Sequence, residues 1–429
     1  MTALATVLPQ RRGACPGLSA PMQTGDGLLV RLLPIGTISL SAFAGLCAAS
    51  RRHGNGVIEI TSRGSIQVRG LNDVSALDFA DAVTSAGIAA EDGVPIHCNP
   101  LAGLDSDEVF NALALAGELR RTLARQSMAE KLNAKVSIAI DGGGSPNLAS
   151  LSADIRLCAQ TANGEISLHV GIGGDAENAF DLGAVRRADG VEAVVRLLNV
   201  LARRDSAVRA RDVLATDGPA IFHAALFSCA PLCRASAPYP KTRAREGVGT
   251  EHRLNDGSLA VGLGLPFGHS DAASLERLIE AAVAVSAQGF RVAPGRMLLI
   301  IGLSRATAPG FLRAAEELGF IVRATDPRRS VIACAGAPIC ASAHIAARAI
   351  APLIADAVAP RMDGAPTIHI SGCAKGCAHA ATAALTVVGM PDGCALVANG
   401  SARDAPFTNV ATEQLPVAIA RFMHEAGHV

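Results

Sequence analysis

An α+β fold of pseudo-two-fold design is what this 429-residue sequence predicts, and three observations carry the expectation. One is a repeat at fixed offset: Leu33 and Leu265, Pro34 and Pro266, Gly36 and Gly268, Leu46 and Leu278, Gly70 and Gly302, and Leu71 and Leu303 each lie 232 positions apart. Another is the succession of patterns (strand, helix, strand, turn, strand) in both copies. The third is composition: half the residues are hydrophobic and only 18% are charged, below the roughly 25% of soluble proteins. That balance implies a large buried fraction and extensive internal interfaces.

In the first copy an apolar strand covers Leu28 to Leu33, and Pro34-Ile-Gly36 turns the chain. A helical pattern spans Ser41 to Arg51, and strands Val57 to Thr61 and Ile66 to Leu71 flank a turn over Ser62 to Ser65. The second copy repeats this with Leu259 to Leu265, Pro266-Phe-Gly268, a helix over Ser274 to Ala287, and strands Phe290 to Ala293 and Met297 to Leu303. Each copy reads as half of a ferredoxin-like unit, and the two halves are expected to share one joint sheet. The text after each copy echoes as well. His97-Cys98-Asn99-Pro100 leads to a helix over Asp107 to Leu123, much as Cys340 leads to one over Ser342 to Ala357. Ile138-Ala-Ile140 before Gly142-Gly-Gly144 parallels Ile368-His-Ile370 before Gly372. Two α/β modules follow from this echo. The expected divisions are an N-terminal arm with the first half-domain (1–90), a first module (91–215), a connection with the second half-domain (216–325) and a second module (326–429).

Composition also excludes functions. Lys plus Arg equals Asp plus Glu, so the overall field attracts neither nucleic acid nor an anionic membrane. With no tryptophan and a single tyrosine, Tyr239, base stacking on aromatic platforms is nearly excluded. Met1 to Pro9 is apolar and precedes Arg11 and Arg12, the reverse of a secretory signal. The most membrane-like window, Ala341 to Pro360, is interrupted by His344, Arg348, Pro352 and Asp356 and reads as a buried helix. Eleven cysteines without a signal peptide point to the reducing cytoplasm and to metal binding rather than disulfides.

Only the second module carries the pairs Cys334-x5-Cys340 and Cys373-x3-Cys377. Short spacings put two sulfurs on one turn of backbone, and two such turns can converge on one soft centre, a [4Fe-4S] cluster or zinc. The five-residue gap exceeds the two to four usual in zinc pairs and favours iron–sulfur. Gly336, Pro338, Gly372 and Gly376 lie among them, where the backbone must turn sharply beside a bulky core. Cys15, Cys47, Cys98, Cys158, Cys394 and the pair Cys229 and Cys233 read as packing residues. The glycine runs at 142–144 and 171–174 lack a following Lys-Ser/Thr, so they do not form a phosphate loop.

Glu59-Ile-Thr-Ser-Arg63-Gly-Ser-Ile-Gln67-Val-Arg69 alternates, so Thr61, Arg63, Gln67 and Arg69 can share one face of a hairpin. Two guanidinium forks and two neutral hydrogen bonders suit carboxylates.

The cysteine spacing resembles that of the nitrite and sulfite reductases, in which a [4Fe-4S] cluster lies beside a sirohaem and the last cysteine bridges to its iron. Within that superfamily, Ser371-Gly-Cys-Ala-Lys-Gly-Cys-Ala-His379, Arg12-Gly-Ala-Cys-Pro-Gly-Leu18 and Thr24-Gly-Asp-Gly-Leu-Leu-Val-Arg31 are similar to the precorrin-3B synthase family of cobalamin biosynthesis. The matches touch both ends of the chain. The resemblance implies a nitrite/sulfite reductase-like fold, with the cluster on Cys334, Cys340, Cys373 and Cys377. It also implies a Thr-x-Arg-Gln segment for tetrapyrrole carboxylates. Thr61 and Arg63 keep that segment, whereas Gly64 replaces its Gln. Of the superfamily's Lys-x-Lys pair, Lys135 remains and Ser137 replaces the second lysine. Both departures point away from sirohaem and small oxyanions. Asn99, Lys375 and Arg296 join the substrate candidates by position, and Arg31 and Arg12 are within reach of a peripheral carboxylate.

The activity so implied is O2-dependent hydroxylation of metal-free precorrin-3A at C20, with γ-lactone formation. Electrons would derive from NADH, directly or through a separate reductase. A mononuclear non-haem iron is a candidate second centre, with His97, His344, His369 and His379 as candidate ligands. Two other readings share the cysteines: a sirohaem-dependent sulfite or nitrite reductase, and a non-catalytic iron–sulfur subunit that binds tetrapyrrole.

Overall fold

The computed structural model describes residues 16–162, 164–204, 207–227, 247–359, 368–379 and 381–426. Arg12, Cys15, Cys229 and Cys233 lie outside the described residues.

The first half-domain runs β1 (Met22–Thr24), β2 (Gly27–Leu32), β3 (Ile38–Ser39), α1 (Leu40–His53), β4 (Val57–Ile60), β5 (Ile66–Leu71) and α2 (Asp73–Ser85). Helix α1 starts where the Ser39 hydroxyl accepts from Ala42 N–H, and it ends on Arg51, Arg52 and His53, whose charge suits the carbonyl end of the dipole. Asn72 and Ser75 form a reciprocal capping box on α2. The first module comprises β6 (Ile96–Cys98), α3 (Ala112–Arg125), β7 (Ile138–Asp141), β8 (Ala153–Ala162), β9 (Glu165–Gly174) and β10 (Phe180–Arg186). Helices α4 (Gly190–Ala202), α5 (Ala210–Asp217) and α6 (Ala220–Phe227) complete it. The second half-domain has β11 (Glu251–Arg253), β12 (Leu259–Gly264), β13 (His269–Asp271), α7 (Ala272–Ala284), β14 (Gly289–Ala293), β15 (Met297–Leu303) and α8 (Ala308–Glu317). The second module has β16 (Val331–Ala333), α9 (Ala347–Val358), β17 (Ile368–Ser371), β18 (Ala383–Met390), β19 (Gly393–Gly400), β20 (Thr408–Val410) and α10 (Leu415–Ala426).

These strands form four five-stranded sheets, ordered β1-β2-β5-β4-β13, β10-β9-β8-β7-β6, β11-β12-β15-β14-β3 and β16-β17-β18-β19-β20. The halves therefore do not share one joint sheet; each keeps its own and lends one strand to the other. β13 pairs with β4 through His269 and Glu59, and β3 pairs with β14 through Ser39 and Gly289. The cause lies in the repeated Pro-x-Gly segment. Pro34 and Pro266 follow β2 and β12, the second strand of each sheet, and Gly36 and Gly268, both with positive φ (76° and 84°), turn the chain across to its neighbour. One hydrophobic core then forms between the halves, with Phe43, Leu46 and Phe79 of the first against Leu275, Leu278 and Phe290 of the second.

Both modules use one plan: three parallel strands followed by two antiparallel ones. The repeat is thus complete, but its two faces differ. In the second half the positions equivalent to Thr61, Gln67 and Arg69 are Ala293, Leu299 and Ile301, all buried, and Leu101 and Leu104 from the first module pack onto them. In the first half the same face is polar and open. Near the pseudo-axis the equivalent turns meet, Gly295 N–H donating to Ser62 O at 2.9 Å. Arg291 ties three units together, donating to Thr37 Oγ1 and to the carbonyls of Pro100 and Ala102. Burial pulls its guanidinium down to about 10. Among the described residues no helix is long and apolar enough to cross a membrane.

Candidate tetrapyrrole and cluster site

The cysteine pairs leave the carboxyl ends of β16 and β17, neighbouring parallel strands, which is where open α/β sheets present their ligands. In the first loop Cys340 N–H donates to Gly336 O at 2.8 Å, and Gly336 has φ 68° with Ala347 N so close that any Cβ would collide. In the second, Gly372 N–H donates to the Cys334 sulfur at 3.1 Å and Gly372 O accepts from His344 N–H at 2.7 Å, which locks the loops together. Burial, then the Cys340 and Cys373 thiols, push Cys334 up; burial, Cys373 and Cys340 do the same to Cys377, while Lys375 pulls it down.

Among the described residues no group of three or more His, Cys, Asp or Glu side chains is set to hold a metal ion. A cubane cluster asks for something different, four thiolates spread around a core larger than one ion, each sulfur able to accept a backbone N–H. Two facing cysteine loops with a glycine N–H already aimed at one sulfur fit that donor set.

These cysteines line a cavity of about 1360 Å³ that also receives the polar face of β4 and β5 and one edge of the first module. It brings together Thr61, Arg63, Gln67, Arg69, Lys135, Lys375, Arg31 and Arg296. Thr61 Oγ1 accepts from Arg63 N–H and Ser65 N–H and so shapes the turn. Arg63 donates to Ser152 O at 2.7 Å, to Ser137 Oγ at 3.1 Å and to His97 Nε2 at 3.3 Å. Ser137 thus orients an arginine. Gln67 presents its amide oxygen to Arg31 Nε at 2.8 Å and Nη2 at 2.5 Å. Arg69 Nε donates to Glu59 at 2.8 Å, and Arg348 reaches the same carboxylate at 2.6 Å. Burial pushes the Glu59 carboxyl up, but the two guanidiniums outweigh it and hold it below the ordinary range. The Lys135 ammonium has no partner among the described residues, and Lys375 Nζ donates to Ser342 Oγ at 2.8 Å.

Asn99 stands elsewhere. It is buried beside the first module's glycine run, donating to Asp141 Oδ1 at 2.9 Å while its own oxygen accepts from Gly142 N–H, and it does not line the cavity. The candidate histidines are dispersed. His97 is a cavity wall, driven by burial, Arg63 and Arg31 down to about 3 and hence neutral. His344 is exposed. His369 is fully buried with neither ring nitrogen bonded, its ring 5.7 Å from that of His379.

Sequence reasoning missed Arg348, Glu59 and Arg209, the last paired with Asp154 at 2.6 Å. Arg348 had one visible signal, the single basic residue in a largely apolar helix. It also missed the arm: residues 16–20 and 22–25 line the cavity, and at Gly25 a Cβ would stand 2.3 Å from Ala341 N, so the arm lies flat on the Cys340 loop. Among the described lining residues, eight cationic side chains face three acidic ones. A protein with no net charge thus concentrates positive potential in one cavity.

Comparisons with known proteins bear on the fold and the family. Residues 20–85 match the model of the nitrite/sulfite reductase ferredoxin-like half domain. The structure of the Mycobacterium tuberculosis NirA protein superposes with a TM-score of 0.77 at 20% identity, over 92% of this chain and 80% of that one, so the fold is nitrite/sulfite reductase-like. A precorrin-3B synthase from a Sinorhizobium species is 37% identical over 417 residues, 97% of this chain and 89% of its own length. With that identity maintained along almost the whole sequence, the chain belongs to the precorrin-3B synthase family.

Proposed function

We propose that this chain is an enzyme of cobalamin biosynthesis that hydroxylates precorrin-3A at C20 with O2 and closes a γ-lactone. The observation that carries the reading is the joining of a cationic half-domain face and two facing cysteine loops in one cavity of about 1360 Å³. That space exceeds the roughly 300–1,000 Å³ of ordinary ligand pockets, as a macrocycle with peripheral carboxylates requires. Cys334, Cys340, Cys373 and Cys377 would hold a [4Fe-4S] cluster, which would supply the single electrons that reaction of a closed-shell macrocycle with triplet O2 needs; NADH or a separate reductase would be their source.

The chain's own residues do the binding. Arg63, fixed by Ser137 and Ser152, and Arg31, fixed by Gln67, present preorganised forks to carboxylates. Lys135 adds an exposed charge to the lining. Glu59 neutralises part of the Arg69 and Arg348 charge and keeps both guanidiniums oriented. Neutral His97 prevents Arg63 from facing a second cation. The N-terminal arm lines the cavity and packs against the Cys340 loop at Gly25.

Protein purified without air is the test, with its visible spectrum recorded before and after precorrin-3A and then O2. An iron–sulfur shoulder without sirohaem bands, and O2 uptake only with precorrin-3A, are expected. Sirohaem bands that shift with sulfite or nitrite overturn the reading in favour of a reductase. Cluster absorbance with no turnover under any donor leaves only a binding subunit.

A further inference from the structure

We propose that Arg296 anchors an anionic group of the bound macrocycle at the Cys377 side of the cavity, an inference that rests on the function proposed above. Arg296 occupies, 232 positions later, the place of Gly64 in the repeated turn. Both residues have left-handed backbone, φ 76° at Gly64 and 63° at Arg296. Glycine adopts that conformation without steric cost, whereas an arginine there is strained. The fold also clears room for this side chain. Gly268 lies against it, and a Cβ at that position would approach Arg296 Cδ to 2.6 Å.

What the strain achieves is a placement. Nη2 donates to Ala378 O at 3.1 Å, next to Cys377, and the side chain lines the cavity. Among the described residues no carboxylate pairs with it, and burial lowers its affinity for its own proton. Arg296 is half-buried, holds one neutral partner and keeps further donors on the cavity side, an arrangement that an anionic group of a ligand would complete. A simple clamp on the Cys377 loop would need neither the positive charge nor the fork.

The test is an anaerobic absorbance titration with precorrin-3A, which reads binding without turnover, on wild type, R296G, R296Q and R296K. R296G removes the strain, and R296Q keeps an amide for Ala378 O. Both should hold wild-type iron content, and both should bind precorrin-3A about 10- to 100-fold more weakly, the range of one charge-assisted bond. R296K should fall between them and wild type. Wild-type affinity in either neutral variant overturns the anchor and leaves the proposed function standing. Failure of the wild-type chain to bind precorrin-3A overturns both.

Discussion

Glu59 sets the electrostatics of the cavity, because it is the carboxylate on which two lining guanidiniums converge. Glu59→Gln is expected to lower stability by about 3 kcal/mol, since removing one partner strands buried charge. The pH dependence has a definite sign. Folding holds this carboxyl below its ordinary value of 4.5, so on acidification the unfolded chain takes up the proton first. The stabilisation is whole above about pH 5 and is lost as pH falls through the folded value. Urea midpoints across that range should drop steeply for wild type and less steeply for E59Q; equal slopes would assign the acid sensitivity elsewhere. Asn99 provides the contrast. Asn99→Ala should cost about 1–3 kcal/mol by leaving the Asp141 and Gly142 turn unsatisfied, with affinity for precorrin-3A unchanged; a large loss of affinity would return Asn99 to the site. The two residues also mark what is legible at this scale. Alternation along one hairpin reveals Thr61, Arg63, Gln67 and Arg69, because a strand's period of two is local. The Arg348 to Glu59 pair joins distant elements and leaves no local period, and the echo that suggested Asn99 gives a position in a repeat without the face it points from.

At the scale of elements, long periodic stretches were legible and short ones were not. Helix α1, expected over Ser41 to Arg51, spans Leu40–His53, and β5 has the bounds its alternation gives. Helix α9 begins at Ala347 rather than Ser342 because the intervening residues brace the cysteine loops, His344 N–H bonding to Gly372 O. Likewise α3 begins at Ala112, where Asn111 caps it by accepting from Leu113 N–H. The exchanged strands β3 and β13, two and three residues long, are too short to show a period, so the sequence suggested one joint sheet. Their exchange depends on backbone proximity. A Cβ at Gly289 would stand 2.2 Å from Ile38 O, so Gly289→Ala should push β3 off β14 and cost about 1–3 kcal/mol. Gly117→Ala in the interior of α3, where the nearest atom is a flexible arginine end at 3.7 Å, should instead stabilise by about 0.5–1 kcal/mol. Equal urea midpoints for the two variants would mean that the exchange contributes nothing to stability.

For the whole molecule, a complete repeat raises the question of why one site exists and not two. The first module's loop after β6 covers the second half-domain just as the cysteine loops cover the first, but Leu101 and Leu104 enter the space that a ligand would need and meet Ala293, Leu299 and Ile301. One copy of the fold thus converts the face into core, and the other keeps it open and charged. The core copy supplies stability that the open copy gives up by gathering cations. On the proposed function each chain is expected to take one macrocycle, and stability and binding should separate by mutation. Leu101→Ala removes a fully buried side chain and should cost about 2–5 kcal/mol while precorrin-3A still binds at one site with wild-type affinity. Arg63→Ala should weaken binding about tenfold or more, the loss of a charge-assisted pair, with a much smaller effect on the unfolding midpoint. Anaerobic titration with a known chain concentration reads both number and affinity. Two sites per chain, or a single site abolished by Leu101→Ala and indifferent to Arg63→Ala, would put the ligand on the plugged face and reverse the assignment of the two halves.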